Sequence, residues 1–201
     1  MKPGLAILAA YLLGGIPFGY LLVRMKTGRD VRSMGSGNIG ATNVLRTTGR
    51  ALGILTLVLD ILKGYLAVWI ADRLTGGDPL WMSAAAVAVV LGHAFPAYLK
   101  FKGGKAVASC VGAFLYLAPL ALGAVVVVFV VTVAWSRFIS LGSMAGAGSL
   151  PLAVWIILHP PAPVTGAALF CGLFIIWRHK SNIARLRAGT ENVFSFRGGK
   201  R

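Results

Sequence analysis

The sequence predicts an all-α integral membrane protein with seven transmembrane helices, its N-terminus outside and its C-terminus in the cytoplasm. Three observations carry that prediction. The 201 residues are 57% hydrophobic and only 12% charged, whereas a soluble domain carries about 25% charged residues. Long uncharged runs recur, separated by short polar segments. The basic residues gather in alternate segments, as Lys and Arg do in the cytoplasmic loops of membrane proteins.

A helix needs roughly 20 apolar residues to cross the hydrocarbon core. Residues 3–23 are the first such run. The run exceeds the about 7–15 residues of a signal-peptide core and no A-x-A-like site follows it, so it reads as a retained span. Residues 51–71 form the second, interrupted by Asp60 and Lys63, and residues 79–99 the third. Residues 106–136 are uncharged for 31 positions and residues 138–177 for 40. The longer run is two spans, broken at His159-Pro160-Pro161-Ala162-Pro163, which cannot continue a helix. The shorter run is long for one span and short for two, and charge decides. A fold-back near Ala118-Pro119 puts the 24–50 and 100–105 loops, Arg137 and the C-terminal tail on one side, with 17 of the 20 basic residues. A single span would send the tail to the far side, against the positive-inside bias. Residues 125–131 are β-branched, but a lone strand at membrane depth leaves backbone groups unpaired, so helix is expected. Residues 1–201 read as a single polytopic domain.

The formal net charge is +15. In a soluble chain that would suggest nucleic acid; here the positive-inside bias accounts for it, and no nucleic-acid partner is expected. Cys110 and Cys171 lie in apolar runs without metal spacing and read as packing residues. With five scattered carboxylates, no metal and no cofactor is expected.

Three polar segments interrupt this greasy chain, and such residues are costly near a bilayer unless a ligand or wet cavity needs them. The first is Gly35-Ser36-Gly37-Asn38-Ile39-Gly40-Ala41-Thr42-Asn43, continuing to Arg46. Its formal G-x-G-x-x-G, with Asp60 twenty residues on, is a decoy, because a dinucleotide fingerprint needs a strand before it and a sheet around it. The local chemistry remains: glycine lets backbone approach an anion, Ser36, Asn38, Thr42 and Asn43 offer hydrogen bonds, and Arg46 offers a bidentate fork. The second segment runs from Gly92-His93 to Lys102-Gly103-Gly104-Lys105. Gly103, Gly104 and Lys105 opening an apolar helix would set free N–H groups and an ammonium around one anion. It is not a Walker A loop. His93 reads equally as a cavity residue or a packed one. The third segment follows the last apolar run: Arg178, His179, Lys180, Asn182, Arg185, Arg187, then Glu191. His179 and Asn182 share a helical face. Glu191, the only Glu, organises the cations more plausibly than it abstracts a proton. Arg187, Arg197, Lys200 and Arg201 suit lipid headgroups. Asp60 and Lys63 should pair or face a wet cavity. Ser140, Ser143 and the small residues after them allow close helix packing, with Ser143 a further site candidate.

These segments resemble, as a set and over the whole chain, the bacterial acyl-phosphate:glycerol-3-phosphate acyltransferase family (PlsY). The resemblance implies transfer of a fatty acyl group from acyl phosphate to the 1-hydroxyl of glycerol 3-phosphate. The products are lysophosphatidic acid and inorganic phosphate, in the first acylation of phospholipid biosynthesis. On that reading Ser36, Arg46, His179 and Asn182 are catalytic. Gly37, Asn38, Thr42, Asn43, Lys63, His93, Gly103, Gly104, Lys105, Ser143, Lys180 and Glu191 bind substrate. The segments meet at the cytoplasmic face of the bacterial inner membrane, in a metal-free monomer whose partners are its two substrates and membrane lipids. The chemistry agrees, since both substrates carry phosphate and cationic and N–H donors suit phosphate oxygens. An acyl phosphate is already activated, so no covalent acyl-enzyme is required.

Rival classes fit less well. A transporter places its binding groups near the midplane, often between inverted repeats, and no repeat is visible. A metal-dependent phosphatidyl transferase needs several carboxylates around a divalent ion. A purely structural membrane subunit does not account for the density of polar motifs.

Overall fold

Proline and glycine punctuate the chain into helices. The computed structural model describes residues 1–194, and every regular element among them is helical. In order these are α1 (Lys2–Gly15), α2 (Phe18–Thr27), α3 (Ala41–Thr48), α4 (Arg50–Thr75), α5 (Pro79–Ala94), α6 (Val107–Leu117), α7 (Pro119–Ser136), α8 (Ile139–Leu158), α9 (Ala162–Arg178) and α10 (Lys180–Arg187). Single turns of 3-10 helix lie at Val31–Ser33 and Ala97–Leu99. Arg197, Lys200 and Arg201 lie outside the described residues.

Five segments are long and apolar enough to cross a membrane: Lys2–Thr27, Arg50–Thr75, Pro79–Leu99, Pro119–Ser136 and Ile139–Leu158. A sixth is the bent pair α9–α10, with 52° between its helices. The expected break at Ala118-Pro119 is present, but it leaves α6 only 11 residues long, too short to cross unaided. The first run is also not one helix. Pro17 has no N–H, so the ladder stops there. The Ile16 N–H turns to Leu13 O at 3.2 Å, and Ile16 O accepts from Phe18 N at 3.1 Å. Pro151 lies inside α8 without ending it. Its missing N–H leaves Ala147 O short of its helical donor, and Gly172 of α9 packs against that oxygen so closely that a Cβ there would collide with it.

The chain divides into two compact units, Met1–Leu117 and Ala118–Arg201. In the first, α1 packs on α4 and α5, and α4 packs on α3, α5 and α6. Glycines set how closely these helices approach. A Cβ on Gly64 would strike Ser109 O, and one on Gly112 would strike Ile61 O, so α4 and α6 lie backbone to backbone. Gly14 meets Val89 O and Gly92 meets Tyr11 O in the same way, joining α1 to α5. Membrane helices use small residues for this purpose because lipid gives no hydrophobic drive to associate. Tyr116 Oη adds a 2.7 Å hydrogen bond to Asp72, linking α6 to α4. In the second unit, α8 packs between α7 and α9, and α10 follows α9.

Large apolar residues face outward, and several polar ones are buried beside the apolar core. Trp135 is 86% exposed, and Leu120, Val127, Val131, Leu152 and Leu173 also face outward. The buried set includes Asn43, Asp60, Lys63, Ser83, His93, Ser109, Ser140, His179 and Asn182. Apolar faces turned outward suit lipid, and polar groups gathered inward are costly enough there to imply a site.

Candidate active site

The first polar segment is a folded loop held by one amide. Asn43, on α3 and buried, accepts from Ser36 N at 2.9 Å. Its Nδ2 donates to Asn38 O at 2.8 Å and Met34 O at 3.0 Å, with Val31 O at 3.3 Å. Gly35 and Gly37 have φ of +55° and +71°, and a Cβ on Gly35 would strike Asn43 Oδ1. Two of the loop's glycine donors are spent internally. Gly37 N donates to Met34 O at 3.0 Å, and Gly40 N to Asn38 Oδ1 at 2.8 Å. One expectation is therefore corrected: glycine does not free Gly37 N or Gly40 N for an anion. The Asn43 amide and Asn38 Oδ1 shape the loop. What the loop presents outward is side chains: Ser36, Thr42 and Arg46 are all exposed, with Gly37 beside them. Thr42 and Arg46 stand one turn apart on α3.

The second segment requires the same correction. Gly103 N donates to Ala94 O and Gly104 N to His93 O, each at 3.1 Å. These carbonyls belong to the last turn of α5, where helical partners run out. The two glycines thus bond the end of α5, and α6 begins only at Val107, after Ala106 at φ +63°. Glycine is needed for approach: a Cβ on Gly103 would strike His93 O, and one on Gly104 would strike His93 Nε2. Lys105 is half-buried, whereas Lys100 and Lys102 are exposed.

Behind it lies a buried polar chain. His93 Nδ1 is 2.9 Å from Ser109 Oγ and 3.8 Å from Asp60 Oδ1. Asp60 and Lys63 form the expected ion pair at 2.8 Å, with side chains 3% and 2% exposed. Lys63 Nζ also donates to Ile16 O at 2.9 Å and sits 5.7 Å from the Phe18 ring centroid. Lys63 is thus engaged within the fold, at the break between α1 and α2.

In the second unit Glu191 is the organiser. Its Oε1 accepts from Asn182 Nδ2 at 2.8 Å and Ser140 Oγ at 3.1 Å, and its Oε2 accepts from Arg185 Nε at 2.7 Å. Burial alone would raise this carboxyl, but donation from Asn182 and Arg185 outweighs burial and holds it below the usual carboxylate range. Glu191 therefore ties Ser140, Asn182 and Arg185 together. Ser143 Oγ donates back to Ile139 O at 2.9 Å. Ser140, expected only to aid packing, is the serine that reaches the cluster. The missed signal is that Ser140 opens α8 one turn after Arg137. His179 ends α9 and precedes α10. Its Nδ1 meets Ile175 O at 2.7 Å, so Nδ1 carries a proton and donates it. Asn182 N donates to His179 O at 2.8 Å, fixing the two relative to each other. Lys180 is exposed, 5.7 Å from the Trp177 ring centroid.

Apolar spans with polar clusters buried between them define an integral membrane protein. The comparisons give the family. A family model for glycerol-3-phosphate acyltransferase matches residues 4–189. A glycerol-3-phosphate acyltransferase of Geobacter metallireducens is 50% identical over 190 residues, covering 94% of this chain and 96% of the relative. One of Syntrophotalea carbinolica is 47% identical over 188 residues, covering 94% and 95%. The crystal structure of PlsY, an integral membrane glycerol 3-phosphate acyltransferase, in its glycerol 3-phosphate form superposes with a TM-score of 0.92 at 37% identity, covering 97% of this chain and 96% of that one. Its lysophosphatidic acid form gives 0.89 at 35% identity, with the same coverage. The chain belongs to the glycerol-3-phosphate acyltransferase family, in its PlsY branch.

Proposed function

We propose that this protein transfers a fatty acyl group from acyl phosphate to the 1-hydroxyl of glycerol 3-phosphate. The observation that carries the reading is the fold-wide likeness to PlsY, whose two solved forms are a glycerol 3-phosphate form and a lysophosphatidic acid form. The glycerol oxygen attacks the acyl carbonyl carbon and forms the ester bond. The bond from that carbon to the phosphate oxygen breaks, and phosphate departs with the electron pair. The hydroxyl proton passes to a phosphate oxygen of the donor, so the substrate itself is the base. Phosphate is a competent leaving group, and no covalent acyl-enzyme intervenes.

Lys105 binds the phosphate of glycerol 3-phosphate, with Gly103 and Gly104 as its rigid backing. Ser36, Thr42 and Arg46 hold the acyl-phosphate head and offset charge developing on the carbonyl and leaving group. His179 and Asn182 orient the hydroxyl, and Lys180 adds positive potential nearby. The reaction uses no metal or other cofactor. The chain works as a monomer and a single polytopic domain, crossing the bacterial inner membrane seven times with its chemistry at the cytoplasmic face. α6 then completes its crossing with the non-helical segment before it.

The test is direct. Purified protein in lipid, given palmitoyl phosphate and glycerol 3-phosphate, should release inorganic phosphate only when both are present and should form lysophosphatidic acid. Equal or faster transfer from acyl-CoA would overturn the donor assignment.

A further inference from the structure

We infer that the buried set Asp60, Lys63, His93 and Ser109 is a positioning device for the Lys102–Lys105 segment, setting where the Lys105 ammonium stands. The inference rests on the reading that Lys105 binds the glycerol 3-phosphate phosphate, and adds how that cation is placed.

The chain of contacts is continuous. Gly104 lies with its Cα against His93 Nε2, and its N–H bonds His93 O. Gly103 bonds the next carbonyl, Ala94 O. The segment therefore takes its position from His93, through both ring and backbone. The ring is set in turn by Ser109 Oγ on α6 at 2.9 Å and by Asp60 Oδ1 on α4 at 3.8 Å. Asp60 is fixed by Lys63, which also bonds Ile16 O where α1 breaks. One polar thread thus links α1, α4, α5 and α6 behind a single loop.

Packing alone does not account for these groups. An ion pair with both side chains at most 3% exposed is costly in a membrane span, and leucines of similar volume would do as well for stability. Asp60 Oδ1 stands between the Lys63 ammonium at 2.8 Å and His93 Nδ1 at 3.8 Å, so its charge lies beside the imidazole. Close approach is obligatory as well, since any side chain at Gly104 would displace the ring or the loop. A cation misplaced by about 1 Å can cost about a hundredfold in rate, which gives such bracing a use.

The experiment compares steady-state kinetics of His93→Leu, His93→Asn, Asp60→Asn and Lys105→Ala in the full-length protein, with melting temperatures in the same lipid. Asn places its Nδ2 about where His places Nδ1. His93→Leu should raise the KM for glycerol 3-phosphate about tenfold, with the KM for acyl phosphate within about twofold of the parent. His93→Asn, which keeps the Ser109 contact but not the Nε2 contact with Gly104, should recover part of that loss. Asp60→Asn should shift the same KM, and its combination with His93→Leu should fall short of additive, as members of one network do. Equal rises in both KM values, or His93→Asn no better than His93→Leu, would overturn the inference. So would additive effects of His93→Leu and Asp60→Asn. The Lys105→Ala arm separates the two failures. A raised glycerol 3-phosphate KM there with His93→Leu unchanged defeats the positioning role alone. An unchanged KM in Lys105→Ala defeats the phosphate assignment and the positioning role with it.

Discussion

The side-chain amide of Asn182 donates a 2.8 Å hydrogen bond to Glu191 Oε1, the same oxygen that Ser140 reaches from α8 at 3.1 Å. One carboxylate therefore joins the start of α8, the turn of α10 and the segment beyond it. The Glu191 side chain is only 6% exposed, so its charge is stable there because three donors surround it.

Removing that charge should be costly. Glu191→Gln leaves Arg185 without its carboxylate and weakens every bond to Oε1 and Oε2. Hydrogen bonds to charged groups contribute about 1.5–3 kcal/mol each, so a loss of about 2–4 kcal/mol is expected. Thermal unfolding in detergent or lipid measures it; an unshifted midpoint would refute the organising role.

The same carboxyl predicts a pH response. Its value in the folded protein lies below the ordinary one. Its stabilisation is complete above the unfolded value of about 4.3, shrinks as pH falls below that, and is gone once pH passes the lower folded value. The parent should lose thermal stability more steeply than Glu191→Gln between about pH 5 and 3. Parallel curves would show that Glu191 does not sense pH.

Asn43→Ala should damage the first loop as a unit. It removes an acceptor for Ser36 N and the donors to Asn38, Met34 and Val31. At about 1 kcal/mol per net bond, a loss of about 2–4 kcal/mol is expected, with a fall in kcat/KM as Ser36 is no longer placed. Asn43→Asp keeps the acceptor and loses the donors, so it should rescue little.

Arg46 is expected to act through its fork. Arg46→Ala should lower kcat/KM by about 10²–10³, the usual effect of deleting one transition-state donor. Arg46→Lys keeps the charge but loses the planar pair of donors and should still lose about tenfold or more. Full activity in Arg46→Lys would reduce the role to charge alone.

His179→Ala should keep its turnover within about tenfold of the parent while weakening substrate binding, because the donor's phosphate oxygen takes the proton. General-base catalysis contributes about 10²–10⁴, so a loss of that size or more in kcat would make His179 the base.

Parts of this architecture were legible in order along the chain. Ala118-Pro119 and His159-Pro160-Pro161 declare their breaks because proline cannot continue a helix, and both breaks occur there. The Asp60–Lys63 pair was expected from spacing, and it forms. The break at Ile16-Pro17 was less legible, since the apolar run passes straight through it and only Pro17 marks it. The short α6 was equally hidden, because composition measures how greasy a run is and not where its first turn begins. Ser140 could not be told from Ser143, as both sit on the same small-residue face until Glu191 selects one.

By itself, the sequence determined that this is a helical membrane protein, where most of its helices break, and which polar segments interrupt them. Hydropathy, proline and charge act locally, so they can be read without a fold. Only the tertiary structure decided where the hydrogen bonds of those segments go. Glycine allows backbone to come close, but its neighbours in space decide whether the approaching partner is an anion or, as at Gly37, Gly103 and Gly104, another stretch of the same chain.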